Sequence, residues 1–340
     1  MPEKEYNLPF NKGVAFLIST IQKTKKTRLE ILTAILPYLL LAAVFIIFSI
    51  LIPPFSRIRN ITGILTISTV FLLVAAGETF PIMMGSIDLS VGSMLSSSSI
   101  MAAFLFPNGG PWMIILGIVF GLLSGLLNGS LIVLLKLPSF IITLAMMFIF
   151  KGIATGLTDG YNIAIRNRDF SWISTGQLIP GLPNVILWGF IIFFIFVYIS
   201  KNTKVGMYIK AIGSNEDSLK KMGINVNKYR IIAFGFSGLL NGFACILLSS
   251  YLGMAPARLG DKYLFNTLIA VVVGGTSIMG GSGGLIKTLL GVLLIGMFDN
   301  GMNLLGVGSN VQDITKGILL VLAISLVIFS QKRGKILLTK

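Results

Sequence analysis

Glu78 and Asp88 are two carboxylates set in a run of otherwise apolar chain, "AAGETFPIMMGSIDLSVGS". The segment Gly85–Ser93, "GSIDLSVGS", adds Ser86, Ser90 and Ser93, and a hydroxyl tract follows at 96–99. Further on, Asn128, Asn241, Asp299, Asn300 and Asn303 interrupt apolar runs in the same way. Such groups can relay protons, ligate metals, hydrogen-bond a polar solute or tie the chain to itself. Two of these chemistries have little support. The sequence has no histidine and a single cysteine, Cys245, which removes the common zinc sites and most acid–base triads and excludes a disulfide framework. The run "GGSGGLIKT", 280–288, resembles a phosphate loop but has Ile286 where that loop needs glycine before Lys-Thr. It reads instead as a tight glycine turn that lets helices approach closely. Solute contact, helix capping and binding of a coupling ion by Glu78 and Asp88 remain.

The elements that must position these groups are membrane helices. The chain is 54% hydrophobic and 11% charged with a mean hydropathy of +0.90, against about 25% charged residues in a soluble domain. Its apolar residues come in blocks near the ~20 residues that span a bilayer. Ten spans are predicted: 36–52, 61–78, 89–106, 112–135, 138–157, 184–200, 231–252, 263–280, 285–305 and 311–330. The fold class is therefore all-α and polytopic, with one membrane domain, 36–330. The net charge of +15 raises nucleic acid as a partner, but its distribution argues for a membrane orientation. Nineteen of the 27 lysines and arginines fall on the N-terminal side of the alternating spans and six on the other. That asymmetry puts both termini in the cytoplasm. Residues 1–35 read as a basic cytoplasmic segment without a cleavage site, and 331–340 as a basic tail. Within the first, 14–21 suits either an amphipathic surface helix or a disordered anchor.

Internal similarity points to transport. "SGLLNG" occurs at 124–129 and 237–242, "GLLNG" in the fourth span is echoed by "GMFDNG" in the ninth, and "KGI" recurs in the fifth and tenth. Spans five apart face opposite ways, as in an inverted five-plus-five repeat with broken helices. Lys151 and Lys316 fall in the outer parts of their spans and can snorkel to the interface or serve the path. Pro81 after Glu78 predicts a discontinuous chain from Gly77 to Gly92. Asp88 then suits the N-cap of a helix beginning near Leu89 or Ser90, with its charge at the positive dipole end. The serines beyond it either line a path for a polar, neutral solute or bridge helices. Candidate path residues are Glu78, Asp88, Ser90, Ser93, Asn128, Asp299 and Asn300.

The longest cytoplasmic loop, 201–230, contains "AIGSNEDSLKKMGINVNKYR". Asn215 can cap a short helix that starts with Glu216 and Asp217 and ends through Lys220 and Lys221 before Gly223. At this point four motifs, in order, carry a resemblance. "GSIDLSVGS" resembles the "GGIDLSVGS" of permease subunits of bacterial ATP-binding cassette (ABC) sugar importers of the ribose/galactose/xylose type, with Ser86 in place of glycine. The 211–230 loop, "AVVVGGTSIMGGSGG" at 270–284 and "DNGMNLLGV" at 299–307 are similar to that family's motifs, the last with Asp299 for asparagine. The resemblance covers about residues 35–330. It implies a transport subunit, with no cofactor in this chain and ATP used by two cytoplasmic ATPase domains. It implies a second permease copy or sister permease and a periplasmic or lipid-anchored solute-binding protein, in a bacterial inner membrane. Gly213, Asn215, Glu216, Asp217 and Gly223 would form the ATPase-coupling element. Relatives of this type also move nucleosides and autoinducers, and an ion-coupled secondary transporter would share the broken helices.

Overall fold

The computed structural model describes residues 35–336 except 36 and 259; most of the predicted 1–35 segment and residues 337–340 lie outside them. Helices dominate. In chain order they are α1 (Pro37–Leu51), α2 (Ile58–Met83), α3 (Val91–Leu105), α4 (Pro111–Leu135), α5 (Ser139–Gly156), α6 (Arg168–Thr175), α7 (Asn184–Asn202), α8 (Lys204–Ser214), α9 (Glu216–Lys221), α10 (Val226–Leu252), α11 (Gly260–Val273), α12 (Leu285–Leu304) and α13 (Ser309–Ile336). Six of them, α2, α4, α5, α7, α10 and α12, are long and apolar enough to cross a membrane, and α1, α3 and α11 carry shorter apolar stretches. A two-residue antiparallel pair, β1 (Ile163–Ala164) with β2 (Met254–Ala255), ties the α5–α6 and α10–α11 connections together. The helix α13 continues through 331–336, into the predicted basic tail.

The burial pattern is the inverse of a soluble protein's. Glu78, Asp88, Asn128, Asn241 and the serines at 97–99 are fully buried. Ile50, Leu134, Phe148 and Phe194 are more than half exposed. Large exposed apolar surface together with enclosed polar side chains fits hydrocarbon as the solvent: it accepts leucine and phenylalanine and offers no hydrogen bonds.

At the centre, α4 crosses α10 on a glycine face. Gly117, Gly121, Gly125 and Gly129 recur every fourth residue, so they line one side of α4. A β-carbon on Gly121 would lie 2.6 Å from the Gly238 carbonyl oxygen, and one on Gly125 would run into the Phe234 carbonyl and lie 2.8 Å from the Gly238 nitrogen. Without side chains the two backbones touch, which is how membrane helices pack when hydrophobic burial no longer drives them together. The order of contacts, Gly117 with Ile246 and Gly129 with Ile231, makes the pair antiparallel. It sets the two "SGLLNG" copies against each other.

One sequence expectation needs correction. The helix α2 does not break at Gly77; it runs through Pro81 to Met83. Proline forgoes only its own N–H bond, and with two helical residues left the loss falls once. The break is shorter, 84–90. It is closed by Met84 N–H to Pro81 O (2.9 Å) and Ser86 N–H to Pro81 O (3.0 Å).

Gly125→Leu should abolish recovery of folded protein from membranes, because neither backbone can give way. Gly152→Leu, at a position where a β-carbon meets nothing within 4 Å, should leave yield and melting temperature close to wild type. Size-exclusion profiles and thermal melts in detergent read both; equal behaviour of the two variants would refute the close crossing.

Candidate functional site

The break between α2 and α3 lies inside the protein, so its backbone groups need partners that water cannot supply. Side chains from two helices, and one from the break itself, provide them. Glu78 on α2 accepts the Asp88 N–H through Oε1 at 3.0 Å. Ser139 and Thr143, one turn apart at the start of α5, accept the N–H groups of Ile87 (3.0 Å) and Leu89 (3.1 Å). The Asp88 carboxylate turns back on its own chain. Its Oδ1 accepts both the Ser90 N–H (2.9 Å) and the Ser90 hydroxyl (2.6 Å), while Oδ2 takes the Ser237 hydroxyl of α10 at 3.5 Å. Asn128 on α4 donates to Ser90 Oγ at 2.7 Å, and Asn241 on α10 donates to the Ser237 carbonyl at 3.0 Å. One acid thus fastens α3 and α10 directly and α4 through Ser90. Glu78 Oε2, Asn128 Oδ1 and Asn241 Oδ1 are buried acceptors that receive no hydrogen bond from the described residues.

This geometry revises the capping expectation. The N-cap of α3 is Ser90, whose side chain makes no capping bond; Asp88 stands two residues earlier in a turn that ties its carboxylate to Ser90. The helix starts one or two residues later than expected because Ser139, Glu78 and Thr143 take the N–H groups of 87–89. Two serines of α3 bridge helices and a third bonds back to its own chain. Ser99 pairs with Ser249 of α10 at 2.6 Å, Ser96 Oγ accepts the Gly260 N–H of α11 at 3.1 Å, and Ser93 donates to the Ser90 carbonyl at 2.9 Å.

Of the seven candidate path residues, Glu78, Asp88, Ser90, Ser93 and Asn128 therefore lie in one place and Asp299 and Asn300 in another. Asn300 exchanges two amide hydrogen bonds with Asn60 of α2 (2.9 and 3.1 Å). Asp299 is ion-paired at 3.5 Å with Lys316 of α13, which also meets Asp313 at 3.2 Å. So Lys316 is buried and paired within the protein. Asn303 accepts from Gln312 at 2.8 Å. Sequence reading also missed Ser139 and Thr143; the signal was there, two hydroxyls four apart directly after Pro138.

At one end of the bundle, α7, α8 and α9 build the predicted projecting element. Asn215 Oδ1 accepts the Ser218 N–H at 2.9 Å, so it is the N-cap of α9. Gly223 follows with φ +77°, a left-handed conformation in which a β-carbon is strained. Glu216 is ion-paired at 2.8 Å with both Lys220 and Arg230, which ties α9 to the start of α10. Asp217 and Met222 face outward. The base of the element reaches the α2–α3 break. Gly213 packs on the Met83 carbonyl and on Gly280 of the α11–α12 turn, and the Gly281 N–H donates to Met83 O at 3.0 Å. The glycine turn at 280–284 therefore joins α9's support to the end of α2.

These features define a polytopic α-helical membrane protein with an enclosed polar knot and a capped helix standing at one end. A family model described as the branched-chain amino acid transport system / permease component matches residues 60–324, and the chain belongs to that permease family. Among individual proteins, it is 40% identical over 294 residues to the ribose import permease protein of Bacillus subtilis (strain 168), covering 85% of this chain and 91% of that one. It is 36% identical to the ribose import permease protein of Haemophilus influenzae (84% and 90% covered). It is 32% identical to the D-allose transport system permease protein of Escherichia coli K12 (85% and 90% covered). No solved structure matches the chain.

Two outcomes follow. Asp88→Asn keeps an acceptor for Ser90 and should shift the melting temperature little. Asp88→Leu strands the Ser90 N–H and two hydroxyls at about 1–3 kcal/mol for each buried group, and should not yield a stable protein. The second concerns acid. Partial burial pushes the Glu216 carboxyl up, but Lys220 and Arg230 outweigh it and hold it below its ordinary 4.5. Its contribution is complete above the ordinary value and is lost as pH falls through the lowered one. A spin label on Met222→Cys should keep its mobility from neutral pH down to the carboxylate range and loosen only below it. Loosening near neutral pH would contradict the bridge.

Proposed function

We propose that this chain is the membrane-spanning subunit of an ABC importer that moves a monosaccharide, ribose or a close relative, across the bacterial inner membrane. The observation that carries the reading is end-to-end similarity to ribose and allose permeases, over 84–85% of this chain. The surfaces support it. Sugar hydroxyls call for neutral hydrogen-bonding partners, and the acids near the break are already engaged in tying the chain. Glu78, Asp88, Ser90, Ser93 and Asn128 then hold the discontinuous helix beside the path, while Asp299 and Asn300 brace α12 against α13 and α2. The path itself forms with a second permease copy or sister permease, fed by a solute-binding protein. Ten crossings in two inverted halves, with both termini cytoplasmic, accord with the charge bias and with the antiparallel α4–α10 pair.

In this reading α9 is the seat for a cytoplasmic ATPase, and ATP is used there. Gly213, Asn215, Glu216, Asp217 and Gly223 serve it in different ways: Gly213 roots the element, Asn215 and Gly223 fix the two ends of the helix, Glu216 ties it to α10, and Asp217 offers an outward charge. A helix held at three points moves with the bundle, so a push on α9 reaches the α2–α3 break through Gly213 and the 280–284 turn.

The test is uptake by the chain co-expressed with its ATPase and solute-binding protein, across ribose, allose, galactose, a nucleoside and an autoinducer. ATP-dependent uptake of a monosaccharide is expected, and replacing 214–222 by a Gly-Ser segment should abolish it and the ATPase co-purification while the spans still fold. Uptake driven by an ion gradient without ATP, or uptake of the nucleoside or autoinducer alone, would overturn the reading.

A further inference from the structure

Where α7, α8 and α12 meet, beside Met83 at the end of α2, there is a recess of about 420 Å³ whose lysines none of the roles above uses. Lys201, Lys210 and Lys287 line it, together with Ser200 and the backbone at 283–284. Lys201 stands in the last turn of the apolar helix α7 and Lys287 in the first turn of the apolar helix α12, so two of the three cations mark the ends of membrane-length helices. Among the described residues no carboxylate pairs with any of them; the one polar contact is Lys287 Nζ to the Gly275 carbonyl at 3.3 Å. Three uncompensated ammonium groups around one recess call for an anion. The second observation is what lies beside it. Along the outer face of α7 runs an apolar groove of about 690 Å³, lined by Ile186, Phe190, Ile191, Phe194, Ile195 and Tyr198. It ends at Tyr198, next to Val197 and Ser200 of the recess. A cationic recess continued by a groove with almost no polar lining matches a molecule with an anionic head and hydrocarbon tails.

We propose that this site holds an anionic phospholipid of the cytoplasmic leaflet, its phosphate among Lys201, Lys210 and Lys287 and an acyl chain along α7. The inference rests on the permease reading only for the side of the membrane. The recess adjoins α8, the root of the coupling element, so the bound head group would brace the segment through which α9 is anchored. Charge alone does not select the head group: phosphatidylglycerol and cardiolipin both satisfy it. A free phosphate satisfies the recess but leaves the groove empty.

The full chain, purified in mild detergent, is probed by native mass spectrometry and by melting temperature against phosphatidylglycerol, phosphatidylcholine and inorganic phosphate. Phosphatidylglycerol should be retained and should raise the melting temperature, with neither effect from phosphatidylcholine. Lys201→Gln with Lys210→Gln, which removes no contact within the chain, should weaken retention on the order of tenfold or more. Lys136→Gln, a lysine at the same end of α4, should bind as wild type. Equal retention of both lipids, equal loss in the Lys136 control, or stabilisation by phosphate alone would each overturn the proposal. So would unchanged lipid retention in the double variant with loss of ATPase co-purification, which would make the recess a protein contact. Loss of lipid selectivity with sugar uptake intact sinks this inference alone. Retained selectivity with no ATP-dependent uptake sinks the permease reading.

Discussion

A chain that stops being helical inside a membrane protein must hydrogen-bond its own backbone with whatever side chains reach it, and this constraint organises the structure. Between Met84 and Ser90 the helical ladder is interrupted, and the freed N–H groups of Ile87, Asp88 and Leu89 are taken by Ser139, Glu78 and Thr143. The Asp88 carboxylate then binds Ser90 and Ser237, and Ser90 binds Asn128. Removing any one partner strands a buried polar group, so α2, α3, α4, α5 and α10 must sit where those bonds can form. The glycine face of α4 brings α4 and α10 into backbone contact beside these bonds, with Asn128 on Ser90 and Ser237 on Asp88.

Much of this was legible in the sequence, and the failures have physical causes. Span positions follow from block hydropathy, and α9 was readable to the residue because its caps are local: Asn215 acts three residues on and Gly223 acts at its own φ. The start of α3 was not readable in this way. Asp88 has the chemistry of an N-cap, but which residue caps a helix depends on partners such as Glu78, back on α2, and Thr143, far ahead on α5. Pro81 misled for the opposite reason, since its effect is local and small near a helix end. For Asp299 and Asn300 the sequence shows polar groups in a span but not what they touch. Their partners, Lys316 and Asn60, lie on other helices and become visible only once those helices are packed. The every-fourth glycines of α4 were a readable signal, hidden by attention to the "SGLLNG" repeat.

The same contacts give a physical route between the ends of a transport cycle. The helix α9 is too short to be stable alone and is held by its caps and by Glu216. Its support, α8, touches the 280–284 turn and the last carbonyls of α2, directly before the break. These contacts link α9 to the stretch where the backbone is not locked in a helical ladder.

The most direct measurement of this account is amide hydrogen exchange across residues 84–92 in detergent or nanodiscs. A break held by Glu78, Ser139, Thr143 and Asp88 should exchange as slowly as the flanking helices α2 and α3. If the amides of 87–90 exchange as fast as those of the exposed 158–162 turn, the polar knot does not hold the break, and the central claim is wrong.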